Sequence, residues 1–264
     1  YNTLRKAVAD LKKAIARAKD EKTKLEQRYS ELLKELELKK MNVHHKLSRT
    51  REWYEAFIWT ITSSGFLVIG GKDASQNIKL VRKLLEPHDI VLHADIHGAS
   101  TAIIKTQKKD IDPQSIKEAA VIAASYSKAW KLKMMSVDVF WVYGSQVSLS
   151  PPSGQYLPKG SYMVYGERNY VKNVELKLAI GIEKVGDSAR IIVGPEEAVS
   201  KRTVAYIVII PGDVDPNTIA LDFIEFLKKK NLEECVVAID ITELKSRIPG
   251  RSNIIKKVLN QLNT

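Results

Sequence analysis

The 264-residue chain contains one cysteine, Cys235, which excludes a disulfide framework and any metal site built on several cysteines. It also lacks long apolar runs, since stretches such as 205–210 are far shorter than the roughly 18 residues that cross a bilayer. Residues 1–52 are charged, unlike the apolar core of a secretion signal. A single cysteine suits a reducing compartment. We therefore expect a cytoplasmic protein.

Several motifs of enzymes and nucleotide-binding proteins are missing. The glycine pair at residues 70–71 has the spacing of neither a Walker A loop nor a G-x-G-x-x-G fingerprint. No G-x-S-x-G elbow occurs, and Cys235 lies in an apolar segment without a nearby histidine. Nucleophilic catalysis therefore has no support in the sequence, and we expect a protein that is not an enzyme and needs no cofactor.

Acidic residues are outnumbered, and the imbalance is uneven along the chain. The 42 Lys and Arg against 31 Asp and Glu give a net charge of +11. Residues 1–52 alone hold 15 basic and 8 acidic residues. Such an excess favours polyanionic partners, because each neutralised phosphate releases counterions. A merely solvated charged surface is the alternative that charge alone leaves open.

Residues 3–47 contain neither glycine nor proline and carry a heptad pattern. The pattern predicts a coiled-coil arm over residues 1–50, in which the continuous helix of residues 3–47 would be about 65 Å long at 1.5 Å per residue. One such helix cannot bury its apolar seam alone. We expect its partner helix to come from the N-terminal half of a longer protein, with plain dimerisation as the alternative. The two seam series are Val8, Ile15, Tyr29, Leu36 and Val43, and Leu4, Leu11, Ala18, Leu25 and Leu32.

The remaining residues, 51–264, predict an α+β body in which a mixed β-sheet is flanked by helices, because strand patterns outnumber helical ones and come in runs. Strands are predicted at 57–61, 66–69, 89–94, 101–105, 136–146, 161–165, 174–182, 190–193, 204–210 and 235–239. Helices are predicted at 74–85, 113–133, 216–230 and 252–262. Asp73, Asp112 and Asp215 stand at predicted helix N-caps.

The string His93-Ala94-Asp95-Ile96-His97 is the most enzyme-like feature. On a strand, His93, Asp95 and His97 would share one face, and two imidazoles with a carboxylate can hold zinc or iron. A metal-dependent hydrolase is therefore one hypothesis. The alternative is a polar strand end whose histidines donate hydrogen bonds to phosphates.

The turn Gly70-Gly71-Lys72 leads into a predicted helix, whose N-terminus favours an anion. A tight strand-to-helix turn without a ligand is the alternative. Exposed aromatic side chains near basic residues can stack on bases. Trp130 and Tyr143 are the leading candidates of an aromatic set that includes Tyr162 and Tyr170, and packing in the core is the alternative.

Eight strings in order resemble the RNA-binding domain of the NFACT family, whose members act in ribosome-associated quality control. They cover residues 50–172 densely, whereas 173–264 match more loosely and are expected to complete the same domain. The strings are WYE at 53–55 followed by Phe57, SSGFLVIGGKDA at 63–74 with Asn77, HADIHGAS at 93–100, YSKAW at 126–130, QVS at 146–148, PSGQYL at 152–157, GSYM at 160–163 and GERN at 166–169.

The resemblance implies an RNA-binding and ribosome-binding module that recognises obstructed large subunits carrying peptidyl-tRNA. It implies contacts to rRNA and tRNA phosphates without catalysis, and no membrane association. A structural coiled-coil scaffold is the remaining alternative. The residues expected to contact RNA are Lys72, Asp73, Asn77, Lys79, His93, Asp95, His97, Gly98, Ser100, Trp130, Lys131, Tyr143, Gln146, Ser148, Lys159, Arg168, Asn169 and Arg251.

Overall fold

A computed structural model describes residues 12–30, 32–33, 50–150 and 161–260, and the chain divides into two units, Tyr1–Lys46 and Leu47–Thr264. In the first unit, residues 12–30 are helical, as the heptad pattern predicts. The seam side chains Ile15, Leu25 and Tyr29 are 54%, 69% and 65% exposed. The coiled coil itself stays a prediction, because the rest of the arm lies outside the described residues.

A six-stranded antiparallel sheet forms the first half of the second unit, in the order β1-β2-β4-β3-β5-β8. A 3-10 helix, Trp53–Ala56, precedes it. Its strands are β1 (Ile58–Ile61), β2 (Leu67–Gly70), β3 (Ile90–Ala94), β4 (Thr101–Lys105), β5 (Ser136–Tyr143) and β8 (Asn169–Glu175). A 3-10 turn, Gly144–Gln146, leads into a small ribbon of β6 (Val147–Ser148) and β7 (Met163–Val164).

Three helices accompany this sheet: α1 (Ala74–Lys83), α2 (Pro113–Ser125) and α3 (Lys128–Lys131). The carboxylates of Asp73 and Asp112 accept hydrogen bonds from backbone N–H groups at the starts of α1 and α2, as predicted. The prediction of a single helix over 113–133 is wrong. The helix is interrupted after Ser125, because the Ser127 hydroxyl accepts a bond from the Ala129 N–H and begins a separate short helix.

A second antiparallel sheet follows in the order β10-β9-β11-β12. Its strands are β9 (Leu178–Val185), β10 (Ser188–Gly194), β11 (Ala205–Val214) and β12 (Ser252–Leu259). The helices of this half are α4 (Glu196–Ser200), α5 (Pro216–Lys229), α6 (Glu233–Ala238) and α7 (Ile241–Ser246). The mixture of sheets and helices confirms the α+β class.

The two sheets share one apolar core. Trp59 and Ile103 of the first sheet belong to the same buried cluster as Ile192 and Val208 of the second. No helix within the described ranges is long and apolar enough to cross a membrane.

Two further predictions, both in the last third of the chain, assign the wrong kind of secondary structure. Residues 235–239 lie mostly in helix α6, and residues 252–259 form strand β12 instead of a helix. The strand exists because it pairs with β11, a contact between distant residues that local periodicity does not reveal. The strand predicted over 136–146 ends at Tyr143, and that over 174–182 is divided at Leu176 between β8 and β9.

Candidate nucleic-acid interface

The glycine turn after β2 is fastened to the loop between β3 and β4. Gly71 donates its N–H to the Thr101 carbonyl at 3.1 Å, and the Ser100 hydroxyl donates to the Gly71 carbonyl at 2.6 Å. The Asn77 amide oxygen accepts the Thr101 N–H at 3.2 Å. A Cβ on Gly71 would lie 2.1 Å from that oxygen, so only glycine fits. Asn77 and the buried Ser100 therefore serve this fastening.

The histidine string does not continue as a strand. β3 ends at Ala94, after which the Asp95 N–H donates to the Asp138 carbonyl at 2.8 Å and the chain turns. His93, Asp95 and His97 therefore do not line one strand face, which removes the geometry of the predicted metal site. Asp95 and His97 are instead exposed on the loop.

One exposed lysine lies beside this loop, and a second follows the glycine turn. Gly98 has a φ of +77°, and a Cβ there would lie 4.0 Å from the side chain of Lys128, which is exposed at the start of α3. Lys72 follows the glycine turn, is also exposed, and donates to the Ser246 hydroxyl at 3.0 Å. Partial burial and the nearby Arg247 lower the pKa of Lys72.

A row of side chains crosses the same end of the first sheet, and we call Thr101, His93, Phe140 and Tyr170 the sheet row. Each is the cross-strand neighbour of the next, on β4, β3, β5 and β8. The His93 and Phe140 rings are 5.5 Å apart, and those of Phe140 and Tyr170 are 6.3 Å apart. Phe140 is nearly buried, whereas Tyr170 is 41% exposed.

Two cations lie over rings of the sheet row. The Arg168 guanidinium carbon is 4.5 Å from the Phe140 ring centre, and the Lys172 ammonium is 4.2 Å from that of Tyr170. Lys172 also donates to the Asp138 carboxylate at 2.8 Å. The row therefore combines aromatic surface with positive charge, a combination typical of nucleic-acid binding.

Burial lowers the pKa of His93 below its ordinary value, and Arg168 acts in the same direction. Both effects favour the neutral imidazole over the imidazolium and so disfavour His93 as a cationic phosphate ligand. Tyr162 covers the row near His93, with ring centres 6.4 Å apart. Its hydroxyl is 2.8 Å from that of Thr101, and burial raises the pKa of Tyr162 to about 12.

The prediction that Trp130 stacks on a base is wrong. The Trp130 side chain is 1% exposed, and its indole N–H lies 3.2 Å from both the Arg251 carbonyl and the Ser252 hydroxyl. It fixes α3 to the start of β12 and leaves no face for a base. Tyr143, the other stacking candidate, is 47% exposed.

The remaining predicted contacts are scattered. The Gln146 amide bonds the backbone at Tyr143, Tyr165 and Glu167, so it braces the ribbon. Asp73 is the N-cap of α1, and Ser148 bonds the backbone of Ser150. Of the predicted contacts not yet described, Lys79, Lys131, Asn169 and Arg251 are exposed, whereas Lys159 lies outside the described residues.

One cluster in the described part of the chain has metal-ligating atoms close together, formed by Glu86, His88 and Asp89. A cation already occupies it, because the Lys105 ammonium lies 2.5 Å from the Asp89 carboxylate and 3.6 Å from that of Glu86. The cluster is thus explained as a buried ion pair.

The sequence does not single out Lys128, Tyr162, Tyr170 and Lys172 as RNA contacts, although Tyr162 and Tyr170 belong to the aromatic set on which bases could stack. Lys128 lies within the string YSKAW, which pointed to it without assigning it a role. Tyr170 and Lys172 become relevant only through the pairing of β8 with β5, which no local pattern signals.

Comparison with known proteins gives a consistent result. Residues 56–166 match the family model described as the NFACT protein RNA binding domain. Over 217 residues the chain is 34% identical to the archaeal Rqc2 homolog aRqcH of Methanocaldococcus jannaschii, a match that covers 82% of this chain and 31% of that protein.

Two animal proteins match over a shorter range. The ribosome quality control complex subunit NEMF homolog of Drosophila melanogaster is 40% identical over 131 residues, which are 49% of this chain and 13% of that protein. The Homo sapiens subunit NEMF is 39% identical over 137 residues, or 51% of this chain and 13% of that protein. The chain thus spans less than a third of the length of these relatives.

Proposed function

The chain belongs to the NFACT family and carries its RNA-binding domain over residues 56–166, and we propose that it is the RNA-binding and ribosome-binding module of a ribosome quality control factor. In this role it binds rRNA and tRNA phosphates on obstructed large ribosomal subunits in the cytoplasm, without catalysing a reaction. The arm joins a partner helix from the rest of a longer protein.

The observation that carries the proposal is the convergence at one end of the first sheet. There the glycine turn is hydrogen-bonded to the loop that contains Gly98, Lys72 follows the turn, and the side chain of Lys128 lies beside Gly98, all within the residues that match the RNA-binding domain. Backbone N–H groups, hydroxyls and lysines are the usual partners of phosphates. The net charge of +11 supports the same partner class.

The test is titration of the full chain with tRNA and with rRNA fragments over a series of salt concentrations. We expect tight binding at low salt that weakens several-fold by physiological salt, because phosphate contacts dominate affinity. Affinity without such a salt dependence, or no binding at all, would contradict the proposal.

A matched pair of charge reversals locates the contact. Lys128→Glu should weaken binding to all RNAs and reduce the slope of log affinity against log salt by about one or more. Lys230→Glu changes the net charge equally at the end of α5, outside the matched domain, and should leave the affinity near that of the unmodified chain. Equal losses in the two variants would mean that only total charge matters.

A further inference from the structure

The exposed side chain of Arg168 is held in place by an aromatic ring. Its guanidinium lies over the Phe140 ring at 4.5 Å, yet it forms no hydrogen bond or ion pair with any other residue that the structure describes. The contact with the ring therefore fixes the position of the group, while no described residue takes up any of its five N–H donors.

Phe140 owes its place under Arg168 to the sheet. It faces the same side as His93 on β3 and Tyr170 on β8, and it is only 6% exposed. The guanidinium is thus supported from below by a strand of the sheet, and the Tyr170 ring, whose centre is 6.3 Å from that of Phe140, is 41% exposed.

From this geometry we propose that Arg168 and Tyr170 form a platform for an unpaired RNA base, which stacks on the outer face of the guanidinium. The inference rests on the proposed function and narrows it to single-stranded or looped RNA. Bases in a duplex are stacked on their neighbours and cannot reach such a plane, whereas splayed bases stack readily on arginine and aromatic side chains.

The charges around the platform fit a nucleotide better than an uncharged partner. Lys172 lies over Tyr170, but Asp138 already neutralises it, so Arg168 is the platform's unpaired cation among the described residues. Its N–H edge can donate to the phosphate of the stacked nucleotide or of the next one. One group thereby contributes both stacking and charge.

The experiment compares two RNA strands of about 12 nucleotides, a length within the usual range for one binding module. One strand carries all its bases, and the other has abasic sites but the same phosphates. Fluorescence anisotropy of the full chain at fixed salt should give about tenfold higher affinity for the strand with bases, because only that strand can stack a base on the platform.

Arg168→Lys keeps the charge but removes the planar group, so it should abolish most of this preference and leave binding to the abasic strand within about twofold. Arg82→Lys is the matched control, since Arg82 is exposed on α1 away from the sheet row, and it should keep the preference. A thermal melt of each variant checks that the fold is retained.

The outcomes separate the two proposals. Salt-dependent binding with the same preference in Arg168→Lys as in the unmodified chain would overturn the platform and leave RNA binding intact. Equal affinity of the unmodified chain for both strands would also overturn the platform and leave RNA binding intact. Failure of the unmodified chain to bind either strand, tRNA or rRNA would overturn the proposed function and the platform with it.

Discussion

His93 is a residue whose chemistry follows from its position more than from its type. In sequence it belongs to a string that resembles a metal site, yet it lies half-buried between Thr101 and Phe140 on the sheet. Burial disfavours the imidazolium, so the fold keeps the ring neutral and uses it as part of an aromatic surface.

This burial predicts a pH dependence of stability. The folded pKa of His93 lies below the unfolded value of about 6.5, so between the two values the unfolded chain binds more protons. The free energy of unfolding should therefore fall as the pH drops below about 6.5. His93→Gln should lessen that fall, as measured by urea unfolding at several pH values. His97→Gln, in the exposed loop, serves as control, and an unchanged slope in His93→Gln would contradict the prediction.

For single residues, the sequence is a more reliable guide to which residues are important than to the role that each one has. Gly71 and Asp73 were identified correctly as a turn and a cap, because their roles depend on neighbours within a few residues. Trp130 was misread, because its burial depends on Arg251 and Ser252, more than 100 residues away.

Among the elements, helix α1 has the most direct connection to the candidate site, since it begins at the glycine turn. Asp73 accepts the Gln76 N–H at 2.8 Å and thereby satisfies a donor at the helix start. A role as N-cap and a role as RNA contact make different predictions for the same residue.

If Asp73 is the cap alone, Asp73→Ala should lower the free energy of unfolding by about 1 kcal/mol, whereas Asp73→Asn should lower it little. Asp73→Asn also removes a negative charge beside Lys72, so RNA affinity should stay equal or rise. Denaturant unfolding and anisotropy measure the two effects.

Asp215→Ala removes the corresponding cap of α5 and provides the comparison. It should cost similar stability without changing RNA affinity. Weaker RNA binding by Asp73→Asn with unchanged stability would instead make Asp73 an RNA ligand.

Elements with strong local signals were predicted well, and those defined by pairing were not. β1 to β4, α1 and α5 follow from alternation, caps and proline positions. The residues of segment 252–259 are compatible with both helix and strand, and the segment is a strand because it pairs with β11. Of the sheet row, only His93 is among the RNA contacts predicted from the sequence, because the row itself exists only through strand pairing.

On the scale of the whole molecule, the second unit of the chain is held together across its two sheets. Arg190 of β10 donates to the Glu183 carboxylate at 2.7 Å and to the Tyr54 hydroxyl at 3.0 Å, and its guanidinium lies 4.7 Å from the Trp59 ring centre. It thereby connects the second sheet to the segment that opens the first.

Arg190→Met should lower the free energy of unfolding by about 1–3 kcal/mol, because it leaves Glu183 with less compensation for its burial. Arg202→Met is the matched control. Arg202 pairs with the same carboxylate but is 35% exposed, so its loss should cost less.

The second unit should unfold in a single transition, since both of its sheets share one core. Far-ultraviolet circular dichroism should show the loss of its strands together with the change in tryptophan fluorescence, apart from any separate loss of helix in the arm. Loss of the strand signal in two steps would contradict the shared core.

The common core also bears on the order in which the chain is synthesised. Trp59, Ile69 and Ile103 emerge early, whereas Ile192, Val199 and Val208, which belong to the same buried cluster, emerge about a hundred residues later. The match to the family model ends at residue 166, but the core continues beyond it, so residue 166 is not a folding boundary. A fragment that stopped there would present its apolar surface to solvent and aggregate, and a nascent chain must keep that surface protected until β11 has left the ribosome.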